Sequence, residues 1–242
     1  MKKIVQFFSL IALVAITSLA SCNENTLSKP NDNPGVVPDS IIPRDIRGKL
    51  DSLMPIYSGT TPPDISGEFL ANDPVLIGSN LESDSSGIGQ NGIWADLYFA
   101  FTKSNGKYVY QEKNATASGS GNDVTVTVTV VGTNKNFTAY FIDNTSDPNF
   151  TSKQSTVISG TMSSDGISDF YYAFIMLEKN DPNNVAVPVN TYRVFKEDDG
   201  LAENYNWTDI TSTVISKSFS NEFNKSLKGT PDKKGVYMNI NK

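Results

Sequence analysis

Apolar and polar residues alternate along most of the chain from about residue 65 onwards, which predicts strands rather than helices. The stretch VTVTVTV at 124–130 places its valines on one face of a strand and its threonines on the other. In IWADLYFAFT at 93–102, the same period puts one apolar set on a shared face: Ile93, Ala95, Leu97, Phe99 and Phe101. The opposite face receives Trp94, Asp96, Tyr98 and Thr102.

Further strands are predicted at 65–70, 107–112, 137–142, 156–162, 170–178, 191–196, 211–219 and 235–240. Turn sequences rich in Gly, Asn, Asp and Ser separate them. The run FYYAFIMLE at 170–178 is apolar on both faces, so we expect its outer face to be covered. About ten strands with short connections predict an all-β antiparallel fold. We expect a barrel of about 8–10 strands closed as a meander, with a β-sandwich as the alternative.

One short helix precedes the strands. Its apolar stripe has the spacing i, i+4, i+8, i+11 and consists of Ile42, Ile46, Leu50 and Leu53. Pro43 suits the first turn, Ser40 is a candidate cap and Pro55 ends the helix, which is predicted at about 43–54. Gly48 weakens it, so packing must hold it in place. We expect it to cover the barrel; the alternative is a helix lying on a membrane surface.

The first 22 residues have the layout of a secretory signal. Lys2 and Lys3 precede an uncharged, mainly apolar run at 4–16, and small residues follow before Cys22. The run is shorter than the ~20 residues of a membrane span. Residues 1–21 are therefore predicted to be a signal peptide, 22–40 a flexible tether rich in Asn, Pro and Ser, and 41–242 a single domain.

Leu19-Ala20-Ser21-Cys22 resembles a bacterial lipobox at every position. The resemblance implies that the Cys22 sulfur carries a diacylglycerol, that cleavage occurs before Cys22, and that two or three acyl chains anchor the protein stably. The expected location is the bacterial cell envelope, with the outer membrane favoured and the membrane as a partner through Cys22.

Composition excludes several chemistries. Cys22 is the only cysteine and the chain has no histidine, so a disulfide, a histidine general base and a histidine-ligated zinc site are all excluded. Without Lys2 and Lys3, 18 basic residues face 26 acidic ones, a net charge of −8. Such a chain offers no basic surface to nucleic acid. We predict no enzyme activity, no catalytic or metal-binding residues and no cofactor. Glu197-Asp198-Asp199-Gly200 is interpreted as a turn, the alternative being a calcium loop.

The helix followed by DISGEF resembles the opening of a lipocalin or calycin barrel. Where that family has Gly-x-Trp, this chain has Gly67-Glu68-Phe69, and Arg193 matches the arginine that covers the family's aromatic residue. Across residues 42–200 the pattern resembles uncharacterised Bacteroidota lipoproteins with lipocalin-like barrels.

Two functional hypotheses follow. In the first, the domain is a non-catalytic binding module for a small apolar or amphipathic ligand, whose predicted binding residues are Leu97, Phe99, Phe101, Phe137 and Phe141. In the second, it is a cell-envelope interaction protein that recognises a glycan or another outer-membrane component through its surface.

Overall fold

The computed structural model describes residues 33–207 apart from 95, 113–123, 148–149 and 185. One α-helix, α1, spans Arg44–Leu53, and a 3-10 helix spans Glu82–Gly87. The strands are β1 (Thr60–Thr61), β2 (Gly67–Ala71), β3 (Val75–Ser79), β4 (Leu97–Ser104), β5 (Lys107–Glu112), β6 (Val124–Thr133), β7 (Asn136–Asp147), β8 (Phe150–Met162), β9 (Gly166–Asn180), β10 (Tyr192–Lys196) and β11 (Leu201–Asn204). Most of the described structure is therefore β, as predicted.

Eight antiparallel strands close into a barrel. From β4 to β9 each strand pairs with the next along the chain, as in the predicted meander. β11 completes the ring because it pairs with β9 on one edge and with β2 on the other, and β2 pairs with β4. The fold is a lipocalin-like barrel, and the sandwich alternative is wrong.

The remaining strands lie outside this ring. β10 shares one edge of β9 with β11: it pairs with residues 171–175, and β11 pairs with residues 166–168. β3 pairs with β10, and the two-residue β1 runs parallel to β6. The turn between β10 and β11 therefore divides one sheet edge into two short strands.

Helix α1 packs on the outside of the barrel. Its stripe meets apolar residues that point outward from the strands, and together these form the outer cluster: Val37, Ile41, Ile42, Ile46, Leu50, Met54, Val131, Val157, Ala173, Ile175 and Val194. The cover predicted for the FYYAFIMLE strand is confirmed, since Ala173 and Ile175 lie in this cluster. Pro43 rather than Ser40 occupies the position before the helix, and no side chain caps it.

The tether predicted at 22–40 lies mainly outside the described residues, but its last part contacts the domain. Val37 is fully buried in the outer cluster, and its carbonyl accepts a hydrogen bond from the Arg47 guanidinium. The Gly59 amide donates to the Gly35 carbonyl at 2.7 Å. Contact with the domain thus begins several residues before the predicted boundary at 41.

Most predicted strands are found, with shifted ends. β4 begins at Leu97 rather than at 93, because the preceding residues form bends. β3 and β11 have only five and four residues, and both were missed by the period-2 pattern. The strands predicted at 211–219 and 235–240, like the signal peptide and Cys22, lie outside the described residues.

Candidate functional site

The barrel interior is lined by large apolar side chains. All five predicted ligand-binding residues lie in this inner cluster, and each is at most 4% exposed: Leu97, Phe99, Phe101, Phe137 and Phe141. β4 supplies three of them and β7 two, because alternate residues of a strand point to the same face. The inward direction of this apolar face is confirmed. A ligand-binding role for these residues stays a prediction.

The aromatic rings of the inner cluster touch one another. The Phe99 ring centroid lies 5.2 Å from Phe170, 5.3 Å from Phe69, 5.7 Å from Phe101 and 6.1 Å from Tyr110. These are the separations of rings in direct contact. The part of the interior around Phe99 is therefore filled by neighbouring side chains.

Trp94 also belongs to the inner cluster, contrary to the prediction that it faces away from Phe99. The alternation that assigned it outward does not apply, because β4 begins three residues later. The Trp94 ring packs edge-on against Phe195 with centroids 4.9 Å apart.

Arg193 covers Trp94, its guanidinium carbon lying 5.4 Å from that ring. The same guanidinium donates two hydrogen bonds to Asp84, at 2.7 and 2.9 Å, and both side chains are fully buried. The Ser79 hydroxyl donates to the same carboxyl group. This paired arrangement satisfies the buried charges and ties the 3-10 helix to β10.

Polar side chains occupy the interior at the end of the barrel where β5 and β7 end and β8 begins. We name this group the polar cluster; it consists of Glu112, Asp143, Ser152 and Gln154. Strand alternation places all four side chains inward. Glu112 lies two residues after Tyr110 and Asp143 two residues after Phe141, and both of these rings belong to the inner cluster. Gln154 lies opposite Asp143 in the ladder, and Ser152 lies two residues before Gln154 on the same face.

One hydrogen bond in this region lies within β5, and another joins β7 to β8. The Tyr110 hydroxyl donates to the Glu112 carboxyl at 3.1 Å, and the Gln154 amide nitrogen donates to the Asp143 carboxyl at 3.1 Å. Burial, followed by the negative charge of Glu112, raises the pKa of Tyr110 well above its usual range. Tyr110 therefore remains a protonated donor, and it stacks on Phe141 with ring centroids 4.8 Å apart.

Two polar atoms of the cluster are buried without a hydrogen-bond partner among the described residues. They are the side-chain carbonyl oxygen of Gln154 and the hydroxyl of Ser152, on residues 3% and 5% exposed. A buried polar group that lacks a partner costs about 1–3 kcal/mol. The orientation of the Gln154 amide follows from Asp143, since the opposite orientation would face two acceptors towards each other.

The Glu197–Gly200 segment forms the predicted turn. The Gly200 amide donates to the Glu197 carbonyl at 3.1 Å, and Gly200 has a φ of +85°. Burial, assisted by a hydrogen bond to Asp199, raises the pKa of Glu197 to about 7. Both carboxyl groups accept a hydrogen bond from the Leu201 amide, at 3.1 Å for Glu197 and 2.8 Å for Asp199, and so hold the turn together.

Comparisons with known protein families, with curated proteins and with solved structures return no match. Within the part of the chain that the structure describes, no helix has both the length and the apolar character needed to cross a membrane. Across those same residues, no three acidic side chains come together as a metal site requires.

Sequence reasoning missed the polar cluster. Its signal was present: the inward face of β5 continues from Tyr110 to Glu112, and that of β7 from Phe141 to Asp143. The register of the β5–β8 pairing brings these side chains to one end of the interior.

Proposed function

We propose that this protein is a lipid-anchored lipoprotein of the bacterial envelope, held at the outer membrane, and that its barrel binds a small apolar or amphipathic ligand without catalysing a reaction. The observation that carries the proposal is the closed eight-stranded barrel with an apolar inward face. Barrels of this size are either filled by side chains or hold one small ligand.

The interior changes from apolar to polar at one end, which suits an amphipathic molecule. Around Phe99, which lies opposite Glu112 in the β4–β5 ladder, the rings fill the space between the strands. On β7 and β9, Phe141 and Met176 adjoin the polar cluster, because Asp143 is the next inward residue after Phe141 and Gln154 lies opposite Met176. A ligand at this boundary places its apolar part on Phe141 and Met176 and its polar part among the hydrogen-bonding groups.

The anchor is tested by Cys22→Ala in the full chain. The acyl chains supply nearly all the membrane affinity, so the variant should leave the membrane fraction or remain uncleaved. Wild-type fractionation of a correctly cleaved variant contradicts the lipoprotein assignment.

Ligand binding is tested on the full chain extracted from its own membrane, by native mass spectrometry and by titration with an apolar fluorescent probe. We expect about one equivalent of probe with micromolar affinity, roughly 8 kcal/mol. Phe141→Leu should weaken the probe several-fold, whereas Tyr140→Leu, the neighbouring position that faces outward, should not.

No bound molecule in the mass spectrum and no probe binding contradict the ligand-barrel proposal. Co-purification of a glycan or an envelope protein would then favour recognition through the outer surface.

A further inference from the structure

The polar cluster contains a buried hydrogen-bond acceptor that lacks a donor. Asp143 accepts from the Gln154 amide and Glu112 accepts from Tyr110, and the side-chain carbonyl oxygen of Gln154 receives no hydrogen bond. An amide oxygen accepts hydrogen bonds and donates none. Because Gln154 is 97% buried and its side chain lies on the inward face of β8, the missing partner must be a donor inside the barrel.

Among the described residues, the lysine that lies beside the polar cluster in the ladder already donates to other groups. Lys179 lies opposite Ser152 in the β8–β9 ladder. Its ammonium group donates to Asp181 at 3.1 Å, to the Ala186 carbonyl at 3.0 Å and to Asn184 at 3.4 Å. The three N–H donors of the Lys179 ammonium group are therefore used by three oxygen acceptors, and no Lys179 donor remains for Gln154 or Ser152.

The charge of the surrounding side chains indicates which kind of ligand group supplies the donor. Two carboxyl groups lie within the cluster, and in a buried site a carboxylate is stabilised most by a cation that also hydrogen-bonds to it. A carboxylate or phosphate head would meet like charge at Glu112 and Asp143. A neutral hydroxyl supplies only one donor for these acceptors.

We infer that the polar cluster binds the protonated amine of an amphiphile, whose ammonium group donates to the Gln154 carbonyl oxygen and lies against Glu112 and Asp143. The apolar chain of that molecule contacts Phe141 and Met176. This inference rests on the proposed binding function and specifies the chemistry of the head group.

Three probes with the same twelve-carbon chain separate the head group from the chain: dodecylamine, dodecanol and dodecanoate, each titrated into the full-length protein below its micelle concentration. Dodecylamine should bind at least ten-fold more tightly than the other two. Equal binding of all three overturns the head-group inference and leaves the proposed binding function standing. Binding of none contradicts the proposed function itself.

Variants on β8 and β5 locate the contact. Gln154→Leu should weaken dodecylamine at least ten-fold and leave dodecanol within two-fold. The matched control is Gln111→Leu, the same change one residue from Glu112 on the outward face, which should change neither. An unchanged affinity for dodecylamine in Gln154→Leu overturns the inference.

A second pair of variants serves if Gln154→Leu does not fold. Ser152→Ala and Ser159→Ala each remove a buried hydroxyl without a partner, the first from the inward and the second from the outward face of β8. Ser152→Ala should weaken dodecylamine several-fold and Ser159→Ala should not. Identical behaviour of the two overturns the inference.

Discussion

The inner and outer clusters are two apolar regions on opposite faces of the same strands, and they are built from different residues. Aromatic rings dominate the inner cluster, whereas the buried members of the outer cluster are aliphatic. A closed barrel encloses a wide space that large rings fill, while the narrow seam between a helix and a sheet accommodates branched aliphatic side chains. The fully buried Arg193 packs on Trp94, a residue of the inner cluster.

The largest expected effect comes from placing a charge in the outer cluster. Leu50→Asp removes a fully buried leucine and introduces a carboxyl group without a partner, which should cost about 5 kcal/mol. At ~2–4 °C per kcal/mol, the thermal midpoint should fall by ~10–20 °C. Lys49→Asp, on the exposed side of α1, is the control and should change little. A midpoint that moves equally in both variants would show that α1 is not docked on the barrel.

Breaking the buried charge pair beside the inner cluster should have the next largest effect. Arg193→Met leaves Asp84 buried without its partner, which should cost ~3–5 kcal/mol in the free energy of unfolding. Adding Asp84→Asn should recover part of that loss. Arg44→Met, the same change in an exposed ion pair with Asp39, should cost less than ~1 kcal/mol. Denaturant titration distinguishes these values, and equal losses at the two arginines would contradict the argument.

Enlarging a ring tests how completely the inner cluster is filled. Phe99 already contacts four rings, so Phe99→Trp should destabilise the protein by ~1–3 kcal/mol through overpacking. Tyr140→Trp on the half-buried outer face should cost less than that. If Phe99→Trp is as stable as the parent, a space exists beside Phe99, and the proposed ligand has room to contact Phe99 as well as Phe141.

The smallest effect concerns Gly48 in α1. A methyl group at this position meets no atom within 4 Å, so Gly48→Ala should stabilise the protein by ~0.5–1 kcal/mol through helix propensity alone. A methyl group on Gly78 of β3, by contrast, meets the methyl groups of Leu53 in α1, so Gly78→Ala should not stabilise. Stabilisation by both changes would show that α1 packs loosely on the sheet.

Long, regular patterns made the fold predictable. The alternation at 124–130, the stripe of Ile42, Ile46 and Leu50, and the doubly apolar run at 170–178 each led to the observed element and its buried face. The failures have local causes. Trp94 was assigned to the wrong face because the strand begins later than its pattern. β3 starts with three consecutive apolar residues and the four-residue β11 has none of the alternation that marks a strand. The polar cluster depends on the register in which β5 to β8 pair, which a single sequence does not reveal.

Closure of the barrel by β11 has a consequence for the order in which the chain folds. Leu70 of β2 pairs with Glu203, about 130 positions later. Local hairpins such as β7–β8 can form as soon as both strands exist, but a pairing between such distant segments pays a large loop-closure entropy first. As the chain is synthesised from its N-terminus, one edge of β2 therefore remains unpaired until β11 has been synthesised. During that interval the open edge invites association with other chains, so any chaperone that accompanies this protein has most to protect at β2.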